Sequence, residues 1–92
     1  ERRHLRFYGI RQYIRIGDEV GELCVAATAE NGGRLLTDLS VEHGWEEGGA
    51  EPSDGMWVRI SAEGYVRALK HNVMVYPGKT TLLMLELAPS AG

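Results

Sequence analysis

Ninety-two residues, 43% apolar and 25% charged, make one folded domain with a modest core and no room for a second. Apolar runs of only a few residues exclude a helical membrane span, and a single cysteine excludes an internal disulfide or a Cys-based zinc cluster. The net charge of -3 conceals a segregation: five of ten basic residues, Arg2, Arg3, Arg6, Arg11 and Arg15, fall in the first fifteen positions, whereas residues 17–63 hold eleven carboxylates against Arg34 and Arg59. A basic arm on an acidic body suits a small anion, because guanidinium pairs with phosphate and stacks on flat rings. The acidic body opposes a long polyanion, so nucleic acid is not an expected partner. Neither a signal peptide nor a membrane span is expected, and the lone thiol points to a reducing, cytoplasmic compartment.

Twelve glycines, three prolines and little helical periodicity predict an all-β chain of short strands. Residues 1–7 are the arginine-rich arm. A first strand over residues 5–16 sets Tyr8, Ile10, Ile14 and Ile16 on one parity with Gln12 among them, and Gly17-Asp18 ends it. Residues 22–29 form a second strand with Leu23, Val25, Ala27 and Ala29 on one face. Asn31-Gly32-Gly33 then turns the chain, and residues 34–41 return antiparallel. Residues 42–55 are acidic, glycine-rich and aperiodic, and read as a long loop. Met56–Ser61 alternates Met56, Val58 and Ile60 against Trp57, Arg59 and Ser61. After Glu63-Gly64 a fifth strand covers residues 65–76, bent near His71-Asn72. Pro77-Gly78 makes a hairpin turn into Thr80–Leu87, a strand apolar on nearly both faces, and residues 88–92 are a tail. Six strands joined by short hairpins predict a small antiparallel barrel, closed so that no edge invites aggregation; a six-stranded sandwich is the competing architecture.

Two elements carry chemistry. Arg2 and Arg6, spaced R-x-x-x-R, can clamp one phosphate while a guanidinium stacks on a base. Asp38 and Ser40, two apart on an extended strand, face one side and offer a carboxylate and a hydroxyl to one ligand edge, such as the donors of a guanine. Each element alone has a plainer reading, as a solvated basic terminus or a locally capped turn.

Together, the segment Glu1-Arg2-Arg3-His4-Leu5-Arg6, the later Asp38-Leu39-Ser40 and the closing residues 72–87 resemble the PilZ domain, a receptor for cyclic di-GMP. The resemblance implies a six-stranded barrel, Arg2 and Arg6 on the phosphates and guanine with Arg3 assisting, and Asp38 and Ser40 on a guanine edge. The family pattern D/N-x-S-x-x-G puts a glycine close to the ligand at the position of His43; here Gly44 comes one residue later and is the glycine expected at the ligand. The function it implies is that of a non-enzymatic regulatory domain, without cofactor or metal, that orders its arm on cyclic di-GMP and signals to an adjoining domain or partner. The alternative within the family is a degenerate adaptor that binds protein through the acidic loop and Trp45.

Other features read more plainly. His4, His43 and His71 lack metal-ligand spacing, and Gly78-Lys79-Thr80-Thr81 lacks the first glycine of a P-loop. Cys24 reads as a small core residue and Trp57 as core or half-buried, while Trp45 is placed to cover a ligand or dock a partner. A second resemblance covers only the C-terminal third. Val58-Arg59-Ile60-Ser61-Ala62-Glu63-Gly64-Tyr65 with Val75-Tyr76-Pro77-Gly78-Lys79-Thr80-Thr81 is similar to the end of carboxypeptidase-regulatory-like β-sandwich modules, extracytoplasmic binding or spacer domains in which the arginine arm has no role.

Overall fold

The structure, a computed structural model, describes residues 9–30, 33–46 and 55–91. The expected arm with Arg2, Arg3 and Arg6, the Asn31-Gly32 half of the first long turn, and most of the acidic loop lie outside the described residues. The described chain is all-β, with seven strands: β1 Ile10–Ile16, β2 Glu19–Ala29, β3 Leu35–Leu36, β4 Ser40–Trp45, β5 Met56–Ser61, β6 Ala68–Val73 and β7 Thr80–Leu87.

The strands form two open sheets, and neither closes into a barrel. In the first, β2 is central, with β1 and then β3 antiparallel along one edge and β7 parallel along the other. The second is the antiparallel series β4-β5-β6, with a bulge between Met56 and Val58. One apolar core joins them. Ile14, Ile16, Leu23, Val25, Ala27, Ala29 and Leu87 of the first sheet share it with Met56, Val58 and Ile60 of the second. The period of two therefore worked where one face meets this core, in β1, β2 and β5.

The expected third strand, residues 34–41, is divided. Only Leu35 and Leu36 pair with β2, at Thr28 and Ala27; residues 37–39 cross to the other layer, and Ser40 already begins β4. Residues 42–45, expected in a loop, belong to that strand; Val41 and Trp45 pack on the core, and the polar His43 between them on the same parity breaks the apolar alternation. The turn at Pro77-Gly78 is tight as expected, with Gly78 at φ 72 and the Lys79 amide donating to the Tyr76 carbonyl at 3.2 Å. It does not close a hairpin. It delivers the chain from β6 in one sheet to β7 in the other, so β7 meets β2 in parallel.

That crossover needs a glycine beneath it. Gly21, buried on the inner face of β2, would place a Cβ 2.5 Å from the Tyr76 carbonyl oxygen and 2.7 Å from Val75 Cγ1. The missing side chain lets residues 75–76 lie directly on the sheet, with Val75 fully buried.

Candidate binding cleft

The segment that crosses between layers and the turn after β5 line an open cleft of about 300 Å³. Leu35, Leu36 and Ala62 supply its apolar surface, and Arg34, Thr37, Asp38, Glu63 and Tyr65 its polar one. The chain leaves β5 through a turn in which the Tyr65 amide donates to the Ala62 carbonyl at 3.1 Å. That turn is held against the C-terminal segment: Tyr65 bridges Pro89, the Val66 amide donates to the Ala88 carbonyl at 2.8 Å, and the Ser90 amide to the Gly64 carbonyl at 2.9 Å. Tyr65 is thereby positioned to accept a 3.0 Å hydrogen bond at its hydroxyl from Arg34 Nη2. One guanidinium and two carboxylates at the rim can engage a ligand that both accepts and donates hydrogen bonds. Arg34, Asp38 and Glu63 are exposed, so water and salt screen these charges.

Of the described residues expected at a ligand site, Asp38 alone lines this cleft. Ser40 is exposed at the start of β4, opposite Ser61. Gly44 has a packing reason for lacking a side chain. It pairs with Trp57 across β4 and β5, and a Cβ there would lie 2.7 to 2.8 Å from the indole atoms Cζ2, Cε2 and Nε1. The glycine seats the indole. The Arg59 guanidinium lies 5.6 Å from that ring's centroid and donates through Nε to Glu42 at 2.7 Å. Trp57 is half-buried on the outer face, as one of its two expected roles allowed, while Trp45 packs against the inter-sheet core. His43 joins the layers: its Nε2 lies 3.0 Å from Gln12 Oε1 of β1, the geometry of an imidazole N–H donating to an amide oxygen.

Arg34, Glu63 and Tyr65 did not stand out in the sequence as site residues. Their only signal was local: Arg34 follows the glycine turn, and Gly64-Tyr65 lies in the segment similar to the β-sandwich modules. Cys24 is buried as expected, but on the outer face of the first sheet, outside the inter-sheet core. Burial pushes its thiol pKa up, with the nearby Glu22 charge adding to the effect, and Arg11 Nη1 sits 3.6 Å from the sulfur. The protonated thiol is a poor nucleophile. Among the described residues no three His, Cys, Asp or Glu side chains converge as metal ligands, and no helix is long and apolar enough to cross a membrane.

Two carboxylates tie strands together. Glu22 accepts from Thr80 Oγ1 of β7 at 2.7 Å and from Arg11 Nη1 of β1 at 2.9 Å, and these bonds, the threonine's first, lower its pKa. Glu46, just past β4, accepts from the Asn72 amide at 2.8 Å and lies 3.1 Å from His71 Nδ1. The Asn72 amide is the larger cause of its lowered pKa. A carboxylate lowered in the folded state adds stability that is present above its unfolded pKa and lost as pH falls through the folded one. Urea midpoints are therefore expected to fall on acidification through and below the ordinary glutamate range, and Glu46→Gln to flatten that fall. An unchanged acid slope in Glu46→Gln would remove this clamp from the acid response.

No family model matches this chain, and no curated protein or solved structure matches it.

Proposed function

We propose that the chain is a non-enzymatic β-sandwich module, similar to the carboxypeptidase-regulatory-like binding and spacer domains, with the Arg34–Tyr65 cleft as its ligand surface. The observation that carries this reading is the parallel pairing of the last strand, β7, with β2 across from β1. A barrel of successive hairpins would pair the last two strands with each other, whereas β6 and β7 stand in different sheets. The segments similar to those modules run through the end of β5, the turn that presents Tyr65, and the crossover over Gly21. An extracytoplasmic setting belongs to this reading, and a cytoplasmic one to the cyclic di-GMP receptor.

Isothermal titration with cyclic di-GMP, beside GMP as the anion control, separates the two. The module reading expects no saturable heat from either nucleotide. Saturable heat with cyclic di-GMP alone, abolished by Asp38→Ala, would replace the module with the receptor.

A further inference from the structure

Among the described residues the edge of β7 facing away from β2 is unpaired over residues 80–86, up to Ala88, where Val66 takes over. We propose that this edge is an interaction surface and that its occupant is the β7 edge of a second copy of this chain, paired antiparallel about a two-fold axis. The parallel ladder with β2 uses the odd positions of β7. The Glu22 amide donates to the Lys79 carbonyl and the Glu30 amide to the Leu87 carbonyl, each at 3.0 Å. By the alternation of a ladder, the amides and carbonyls of Thr80, Leu82, Met84 and Glu86 point away from β2, and among the described residues no strand pairs with them. The same even positions carry an apolar outer face. Leu82 is 59% exposed and Met84 62%, flanking the buried Cys24 and Ala26 of β2.

The four sheet edges differ in their chemistry. Exposed charges sit on all four: Arg11 and Arg15 on β1, Glu42 on β4, Lys70 on β6 and Glu86 on β7. What sets β7 apart is that two successive outward positions, Leu82 and Met84, are exposed and apolar, whereas β1 and β6 expose one large apolar residue each, Tyr13 and Leu69, and β4 none. The strand is also complementary to itself. Pairing it about Leu83 sets Leu82 opposite Met84 and Thr80 opposite Glu86, so that only even positions exchange outward hydrogen bonds and neither carboxylate faces the other. Shifting by one pair either way sets Glu86 opposite Leu82 or beyond the strand at Gly78. A two-fold axis uses the one surface twice and closes the assembly.

Sedimentation equilibrium of the chain over a range of concentrations is expected to give a monomer–dimer equilibrium. Met84→Lys, on the exposed face, is expected to weaken it at least about tenfold while the circular dichroism spectrum stays that of the folded protein. Should that variant unfold, Leu82→Thr, which keeps a strand-forming side chain, takes its place. Hydrogen exchange adds a reading specific to this edge. The amides of Leu82 and Met84 should gain protection as concentration rises, whereas those of Leu83 and Leu85 are already held by β2. A monomer at every concentration, a dimer unaffected by Met84→Lys, or fast exchange at both Leu82 and Met84 in the dimer would each overturn the proposal.

Discussion

Gly21→Ala is expected to cost the protein roughly 1 to 3 kcal/mol, as overpacking of a tight core does. The added methyl would stand 2.5 Å from the Tyr76 carbonyl oxygen, which is backbone and cannot rotate away. Nor can the crossover lift freely. The Gly78 amide donates to the Val20 carbonyl at 2.9 Å, and the Tyr76 carbonyl closes the turn with Lys79. Alanine would favour folding by at most about 1 kcal/mol, by narrowing the unfolded ensemble, so the clash wins. A thermal melt should show the midpoint lowered by on the order of 10 °C in a domain of this size. A midpoint within about 2 °C of the parent would mean that residues 75–76 do not rest on Gly21.

Leu23→Ala is expected to do more. Leu23 is 0% exposed on the central strand, between Gln12 of β1 and Thr81 of β7, and it is among the largest fully buried side chains. Removing its three outer carbons loses their transfer free energy and leaves a cavity, together about 2 to 5 kcal/mol. A small domain has little stability in reserve, so the variant should be partly unfolded at 37 °C. Leu69→Ala is the matched control. Leu69 is 51% exposed on the outer face of β6, and the same truncation there should change stability by no more than about 0.5 kcal/mol. Equal losses at both positions in urea unfolding would contradict a single core between the sheets.

Much of the local structure was legible because it follows from period and turn chemistry. Alternation placed Leu23, Val25, Ala27 and Ala29, and Met56, Val58 and Ile60, on buried faces. Proline followed by glycine at 77–78 called for a turn with positive φ at Gly78. The split of residues 34–41 was not legible, since a strand that changes layers keeps its apolar residues, Leu35, Leu36, Leu39 and Val41, in one unbroken run of strand-like sequence. Gly44 read as the glycine of a ligand turn because the indole that fills its place is thirteen residues away, across a strand pair. The cleft was hidden for a similar reason: Arg34 and Tyr65 meet only after two separate layers have packed.

By itself the sequence determined an all-β chain, its buried faces, its turns and its segregation of charge, each of which arises from residues close in the chain. The tertiary structure decided that there are two open sheets and that β7 runs parallel to β2. It also decided which charges share a cleft and that Leu82 and Met84 lie exposed along a strand edge. Those outcomes depend on how layers cross and stack, and strand pairing between distant segments is selected by the whole core rather than by any local pattern.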